Sequence, residues 1–367
     1  PRLSGQIVIS GNENKIDLTG GAPRAIPKAA PDSISVLNFA TFPPKVVTVA
    51  NVPNTVIGPP SNIAITPDGS LALIANSARL DPANATNTLP NREIHILDLK
   101  AHPPQIIGHV TAGLQPSGLS ITPDGKLALV ANRAAGTVSV LRIDGKNVTP
   151  LREVKVGEPL QSPSDVAISP NGRSAVVSLQ KAAVLAELKI DGESVELTGR
   201  RFSVYGAPYR VVITPDGRFA ITSGAGLGNG TDSDAVSVVD LKANPPRTIQ
   251  HLTTGIVPES LEISPDGKLL AVVAMDGSNL AAGNSNRTTS GGLYLYRRRG
   301  ERFELSQELK TGRIPEGVAF TSDGKYLIVQ GHPDRELHIY RVRGTQVKDT
   351  GQRVSVPGMP SSLRAAQ

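Results

Sequence analysis

Residues 116–132 read PSGLSITPDGKLALVAN, and close variants of this pattern occur six times along the chain. Each copy has a proline, two polar or small residues, a short apolar run, a Ser/Thr-Pro-Asp-Gly turn and a second apolar run. In such a turn proline fixes φ, aspartate bonds the local backbone and glycine supplies a positive φ. The pattern therefore predicts two short antiparallel strands joined by a tight turn. The other copies begin at Pro60, Pro163, Pro208, Pro258 and Pro315.

The spacing of the copies fits the four-stranded blade of a β-propeller. The turn residues that follow the Ser/Thr-Pro pair lie 45 to 57 positions apart. A third apolar stretch follows each copy, for example TVSVLRI at 137–143, and a further turn leads to a fourth strand. Short strands rich in β-branched residues are typical of antiparallel blades. The copies predict six blades, approximately at 60–111, 116–156, 163–204, 208–254, 258–310 and 315–356.

The two chain ends predict a seventh blade that they share. The C-terminus carries PSSL at 360–363, the start of an inner strand with no second strand after it. The N-terminus has the other three strands, beginning near Gly5, Ser33 and Phe42. Joining residues 1–50 to residues 358–367 closes the ring and removes the exposed edges of an open fan. We therefore expect an all-β fold: one seven-bladed propeller domain, 1–367, of four-stranded antiparallel blades.

The composition argues against several classes of protein. The chain has 367 residues, a net charge of +6, 3% aromatic residues and no cysteine. Nucleic-acid binders combine clustered positive charge with stacking aromatics, and this chain shows no such platform, so we expect no nucleic-acid partner. No apolar run approaches the roughly 18 residues that a membrane span needs, so no membrane span is expected. Without cysteine there is no disulfide and no thiol chemistry, which fits an oxidising compartment.

Residues 127–145, LALVANRAAGTVSVLRIDG, resemble the YVTN-type bacterial propellers. They also resemble the lactonase-like propellers, the group that contains 6-phosphogluconolactonase-type and carboxymuconate-cyclase-type enzymes. The Pro-Asp-Gly turns, the Ala-Asn ending of the second strand and the Val-Ser-Val third strand carry this resemblance along the whole chain. These motifs specify blades rather than chemistry. With the start at Pro1, from signal-peptide cleavage or other trimming, the resemblance implies a periplasmic or secreted bacterial protein.

The two faces of the predicted propeller differ. The Pro-Asp-Gly turns are tight and nearly uniform, and they share one face, which we call the turn face. The opposite face, the mouth face, carries the loops into the inner strands and the loops between second and third strands. Variable loops on a rigid scaffold often carry function. These loops could either line a pocket or be solvent-exposed loops without a function. Four loops of the mouth face are long: 11–32, 76–91, 223–234 and 275–291.

The two residues after each repeat proline are expected to ring the mouth of the central channel. The ends of the second strands form a second tier. Arginine binds carboxylate or phosphate through paired hydrogen bonds, and a carboxyl or imidazole with a tuned pKa serves as general acid or base. The candidate acid–base residues are His332, Glu259, Glu316 and Asp165. The candidate substrate-binding residues are Arg210, Tyr209, Arg133, Asn62, Asn76 and Asn132.

Two functions stay open at this point. The first is lactonase- or cyclase-like acid–base chemistry on a small polar, anionic substrate at the channel mouth, by a hydrolase or isomerase. The second is a non-enzymatic YVTN-type scaffold that binds a ligand or a protein partner. The histidines have no metal-ligand spacing and no haem-attachment motif occurs, so we expect neither a metal nor a cofactor.

Overall fold

A computed structural model describes residues 6–226 and 232–366 of the chain. These residues form seven four-stranded antiparallel sheets, and one further two-stranded hairpin lies in the loop 11–32. The innermost strands of successive sheets contact one another around a closed ring. The predicted all-β, seven-bladed propeller is therefore confirmed. We number the blades 1 to 6 along the chain and call the seventh, which both chain ends build, the closing blade.

Each blade consists of four strands that follow one another from the inner to the outer edge. The closing blade has Met359–Ala365, Ile7–Glu13, Ser33–Asn38 and Lys45–Ala50. Blade 1 has Ile63–Ile65, Leu71–Leu80, Thr88–Asp98 and Gln105–Thr111. Blade 2 has Pro116–Ile121, Leu127–Asn132, Thr137–Asp144 and Asn147–Lys155. Blade 3 has Pro163–Ile168, Ser174–Leu179, Val184–Asp191 and Ser194–Ser203.

The remaining blades follow the same order. Blade 4 has Ala207–Ile213, Phe219–Ala225, Ala235–Asp240 and Arg247–Thr253. Blade 5 has Pro258–Ile263, Leu269–Ala274, Gly292–Arg299 and Arg302–Lys310. Blade 6 has Val318–Phe320, Tyr326–Gly331, Glu336–Arg343 and Gln346–Ser355. The small hairpin pairs Ile16–Asp17 with Arg24–Ala25, and two 3-10 turns span Pro159–Gln161 and Gln180–Ala182.

The Pro-Asp-Gly turns have one geometry in all six copies. Their glycines have φ between 64° and 74°, a region that a residue without Cβ enters at little cost. The preceding Ser or Thr hydroxyl donates a hydrogen bond of 2.5–2.7 Å to the Asp or Asn side chain of the turn. These local interactions explain why so short a motif specifies a strand-turn-strand unit.

The core consists of apolar layers between neighbouring blades. The side chains that pack there are mainly Val, Ile, Leu and Ala, in seven clusters, each of which joins adjacent blades. Tyr296, Phe219 and Phe303 are the largest fully buried side chains of the layer between blades 4 and 5. Burial of apolar surface between blades drives the ring to close.

Closure of the ring rests on pairing between the chain ends. Val8 pairs with Ala365 in the antiparallel ladder of the closing blade. Gln330 of blade 6 donates to Ser10 Oγ at 2.9 Å and to the Ser362 carbonyl at 2.7 Å. Both termini therefore belong to one blade, and its neighbour holds them together through a buried amide.

One predicted loop is largely strand. Residues 76–91 continue the antiparallel ladder of blade 1, with Arg79 opposite Leu89, past a bulge between Asn76 and Ala78. Only residues 81–87 turn between the two strands, so the prediction of a long loop at 76–91 is wrong. Residues 227–231 of the loop 223–234 lie outside the described residues. Within 6–226 and 232–366, no helix has the length and apolar character to cross a membrane.

Candidate active site at the channel mouth

A cavity of about 390 Å³ opens on the mouth face, and we call it the mouth cavity. The loops 11–32 and 275–291 wall one side of it, and the backbone amide of Gly21 donates to the Asn279 carbonyl at 2.8 Å. Two of the four variable loops thus meet beside the channel. The polar side chains that line the cavity are Glu13, Arg133, Tyr209, Glu259, Asn279, Glu316 and Ser361.

No predicted pair places both of its residues in the lining of the mouth cavity. The first residue after the proline lines the mouth cavity in blades 4, 5 and 6 and in the closing blade. The second residue does not, because successive side chains of a strand point in opposite directions. Register shifts at the start of the inner strands, such as that between Pro258 and Ser260, set which residue turns towards the channel.

Glu259 and Glu316 are buried at the mouth and influence each other. Burial raises the pKa of Glu259 to about 8, and the positive charge of Arg133 opposes this only in part. Burial, followed by the charges of Glu259 and Glu13, holds the pKa of Glu316 well above its usual range. Among the described residues, Glu316 Oε1 has no hydrogen-bond partner. Both carboxyl groups are therefore mainly protonated at neutral pH.

Glu13 is a third carboxyl group of the mouth cavity, and it was not among the residues predicted from the sequence. Burial raises its pKa to about 8, the charge of Asp32 adds to the shift, and Lys15 opposes it. Lys15 itself forms an ion pair with Asp32. Glu13 directly follows Asn12, which pairs with the repeat proline Pro360, just as Arg133 follows Asn132, which pairs with Pro116. This shared position in the repeat could have identified Glu13 as a candidate.

Arg133 and Tyr209 complete the polar lining. One guanidinium nitrogen of Arg133, Nη2, donates to Gln180 Oε1 at 2.6 Å, while Nη1 is buried and has no partner within the described residues. Burial lowers the pKa of Arg133, and Tyr209 and Glu259 oppose that shift. Burial and then the charge of Glu259 hold the pKa of Tyr209 well above its usual range. In the described part of the chain, Arg133 is the one lining residue with a permanent positive charge.

Arg210 and Asp165, which we expected at the mouth, lie deeper in the channel. Arg210 is 4% exposed and donates to Asp165 at 2.9 Å and to Glu262 at 3.0 Å. Asp165 also accepts hydrogen bonds from Ser61 Oγ and from the Val211 amide, both at 2.9 Å. The structure therefore does not bring these two residues together with Arg133. As second residues of their pairs, they point away from the mouth.

His332 is buried between the chain ends rather than in the mouth cavity. Its Nδ1 is 3.4 Å from the Pro360 carbonyl oxygen and its Nε2 is 3.3 Å from that of Ile16. Burial lowers the pKa of His332 to about 4, so the imidazole is neutral at physiological pH. Its position fits a structural role in joining blade 6 to the closing blade.

The three candidate asparagines do not line the mouth cavity either. Asn62 donates to the carbonyls of Asn54 and Ala75, at 3.0 and 2.8 Å. Asn132 donates to the hydroxyls of Thr137 and Ser139, each at 2.9 Å. Asn76 is 3% exposed, and its Oδ1 has no partner in the described part of the chain. Buried amides with such contacts tie strands together.

The three carboxyl groups of the mouth do not form a metal centre in the described structure. Over residues 6–226 and 232–366, no three His, Asp or Glu side chains are grouped so that they could hold a metal ion. The chemistry that these groups offer is proton transfer and hydrogen bonding. Both suit carboxyl groups whose pKa lies near neutrality.

Comparison with known proteins agrees with this architecture. Residues 94–212 match the family model described as "Lactonase, 7-bladed beta-propeller". No curated protein sequence matches the chain significantly. The Pseudomonas aeruginosa periplasmic gluconolactonase is 19% identical over 98% of both chains, with a TM-score of 0.68. A Bacteroides fragilis protein provisionally named a 6-phosphogluconolactonase is 17% identical over 98% of both chains, with a TM-score of 0.70.

A third solved structure shows how widely this fold is used. Hydrazine synthase of Kuenenia stuttgartiensis is 22% identical over 78% of both chains, with a TM-score of 0.61. At such identities the likeness to solved structures concerns the fold, which hosts unrelated functions. The family model matches the part of the chain from the third strand of blade 1 to the inner strand of blade 4, residues 94–212. The chain is therefore a seven-bladed β-propeller, and its residues 94–212 are similar in sequence to the lactonase propellers.

Proposed function

We propose that the mouth cavity binds a small polar anion and performs lactonase- or cyclase-like acid–base chemistry on it. One observation carries this proposal. Three buried carboxyl groups, Glu13, Glu259 and Glu316, share a cavity with a guanidinium nitrogen of Arg133 that has no partner in the described structure. Perturbed titratable groups that converge in a cavity are typical of catalytic sites.

The electrostatics of the mouth cavity favour an anion. At neutral pH the three carboxyl groups are mainly protonated, because burial raises the pKa of Glu13 and Glu259 to about 8 and holds that of Glu316 well above its usual range. The residues that line the mouth cavity then have a net positive charge, which comes from Arg133. A substrate carboxylate or phosphate would satisfy Arg133 Nη1 and accept hydrogen bonds from the protonated acids. The volume of about 390 Å³ suits a small molecule.

The two coupled glutamates supply an acid and a base. The positive charge of Arg133 favours the ionised form of Glu259, whereas the charges of Glu259 and Glu13 raise the pKa of Glu316. We therefore assign Glu259 as the base and Glu316 as the acid. In lactone hydrolysis, ionised Glu259 takes a proton from a water molecule, whose oxygen attacks the ring carbonyl. As the bond from that carbon to the ring oxygen breaks, Glu316 gives its proton to the leaving oxygen. Water and lactone become one hydroxy acid.

Aldonolactones are the first substrates to test. The Pseudomonas aeruginosa relative is named a periplasmic gluconolactonase, and the Bacteroides fragilis protein carries a phosphogluconolactonase name. We extend the proposal to a periplasmic or secreted location, with which the cysteine-free composition is consistent. Those names describe the two relatives themselves, and the charge of Arg133 is the reason to include the phosphorylated lactone.

The decisive experiment measures hydrolysis of 6-phosphogluconolactone, with the uncharged glucono-δ-lactone as comparison, by acid release in a pH-stat, above the spontaneous rate. Glu259→Gln and Glu316→Gln each remove one proton-transfer group, so we expect kcat to fall by roughly 10²–10⁴-fold. Glu196→Gln, an exposed position of blade 3, is the matched control and should keep the wild-type rate.

Two results would contradict this assignment. One is wild-type turnover in both mouth variants, and the other is no acceleration by the wild-type protein. Saturable binding of gluconate or 6-phosphogluconate without turnover of either lactone would favour the non-enzymatic binding scaffold instead.

A further inference from the structure

A second cavity, of about 480 Å³, lies in the central channel on the turn face. We call it the turn-face cavity. Among the described residues it shares no lining residue with the mouth cavity, although Tyr209 lines one and its neighbour Arg210 the other. Between the two cavities, Asp165 reaches across the channel to Ser61 and Arg210. The channel is thus two compartments separated by a hydrogen-bonded partition.

An apolar ring surrounds the opening of the turn-face cavity. It consists of the residue that ends the inner strand in each of blades 1 to 6, immediately before the Ser/Thr of the turn. Several of these side chains are partly exposed to the cavity. The members of the ring are Ile65, Ile121, Ile168, Ile213, Ile263 and Phe320.

One layer further into the channel from the apolar ring, small side chains leave space beside two charged side chains. One position earlier in each inner strand, blades 1, 2, 3 and 6 carry only alanine or serine. At the same position blade 5 has Glu262 and the closing blade has Arg364, and both line the cavity. Small residues on the opposite side give a ligand access to these two side chains.

Of the two charged side chains in this layer, Arg364 is the one that lacks hydrogen-bond partners in the described part of the chain. Its side chain is 11% exposed, and its contact with Glu262 Oε2 is 3.9 Å long, beyond hydrogen-bonding distance. That carboxylate oxygen already accepts from Arg210 at 3.0 Å. Within the described residues, no hydrogen bond joins the Arg364 guanidinium to the protein. Burial, and then the charge of Arg210, lower the pKa of Arg364 to about 10, so it stays charged at neutral pH.

We propose that the turn-face cavity is a second binding site, for an amphiphilic carboxylate. The carboxylate pairs with Arg364, and the aliphatic chain lies within the apolar ring. A guanidinium offers a fork of donors that matches a carboxylate, and leaving those donors without hydrogen bonds in a buried place is costly. A small inorganic anion would leave the ring unfilled, and an uncharged lipid would give the Arg364 donors no charged acceptor at hydrogen-bonding distance. The inference does not depend on catalysis at the mouth.

The test is calorimetric titration of the full chain with octanoate, acetate and 1-octanol at neutral pH. Octanoate should bind at least tenfold more tightly than acetate, which lacks the chain, and than octanol, which lacks the charge. Arg364→Gln should weaken octanoate binding by at least tenfold, whereas Glu259→Gln should leave it unchanged. Octanoate affinity that is the same in Arg364→Gln as in wild type, or no better than that of acetate or octanol, would overturn the proposal.

A chain-length series in the wild-type protein tests the apolar ring without any substitution. From butanoate to octanoate, affinity should rise by roughly fourfold per methylene group, the factor expected for transfer of one CH₂ from water. Ile121→Ser, at a partly exposed ring position, should flatten this rise. A flat series in wild type would contradict the apolar site, even if Arg364→Gln did not fold.

Discussion

Ser61 Oγ donates a 2.9 Å hydrogen bond to Asp165 Oδ1, although the two residues belong to blades 1 and 3. Blade 2 lies between them and has Gly118 at this level. A Cβ at position 118 would lie 2.0 Å from Asp165 Oδ1 and 2.7 Å from Ser61 Oγ. The carboxylate can therefore cross to blade 1 only because Gly118 has no side chain.

The first prediction concerns this crossing. Gly118→Ala should lower the free energy of unfolding by roughly 1–3 kcal/mol, the usual cost of overpacking a dense interior. Urea denaturation followed by circular dichroism measures this. Gly108→Ala is the matched control, since a Cβ there has no atom within 4 Å and the change should stay within about 0.5 kcal/mol. Equal effects of the two substitutions would show that the contact between Asp165 and Ser61 past Gly118 does not contribute to the free energy of unfolding.

The second prediction is a fall in stability between pH 6.5 and 8. The pKa of Glu259 is raised from 4.5 to about 8 in the folded protein, so the native state binds more protons than the unfolded state between these values. Stability from this group is complete below pH 4.5 and is lost as the pH rises to 8. The slope is about 1.4 kcal/mol per pH unit for each such group at its steepest.

The pH range of this test is chosen because His332 changes stability with pH in the opposite direction. Its pKa is lowered from 6.5 to about 4, so it makes stability rise between pH 4 and 6.5. Denaturation midpoints at pH 6.5, 7.0, 7.5 and 8.0 therefore isolate the carboxyl groups. Glu259→Gln should reduce the slope, while the exposed Glu196→Gln should keep that of wild type. Parallel curves for all three proteins would contradict the raised pKa.

The third prediction assigns anion binding to Arg133. Arg133→Gln should weaken 6-phosphogluconate binding by roughly 10- to 100-fold, because hydrogen bonds to charged groups contribute about 1.5–3 kcal/mol. Gln180→Leu removes the 2.6 Å hydrogen bond that orients the guanidinium and should have a smaller effect. Isothermal titration gives both affinities. The exposed Arg142→Gln serves as control, and an equal loss in that variant would indicate nonspecific attraction.

The fourth prediction separates structure from catalysis at His332. His332→Gln should lower the free energy of unfolding by about 1–3 kcal/mol, because the carbonyl groups of Ile16 and Pro360 face this imidazole in a buried place. The rise in stability from pH 4 to 6.5 should become shallower. The pH profile of kcat for lactone hydrolysis should not move. A displaced profile at unchanged stability would mean that His332 acts on the substrate.

The blades could be predicted from the sequence because their determinants are local. The turn residues and the apolar runs on both sides of each turn define a strand pair without any distant partner. The incomplete repeats at the two ends, such as PSSL at 360–363, also predicted the shared blade. For the same reason Glu259, Glu316 and Tyr209 could be placed near the channel. Each is the first residue after a repeat proline, and all three line the mouth cavity.

What the tertiary structure decided depends on groups far apart in sequence. A bulge at the start of the inner strands sends Tyr209 to the mouth and Arg210 to the partition. Asp165 finds its partners in blades 1 and 4, which no local pattern encodes. Glu13 and Arg364 gain importance only from burial beside other charges, because a pKa shift is a property of the surroundings of a side chain. Sequence periodicity thus determined the ring of blades, and packing across the channel determined which of its polar side chains come together.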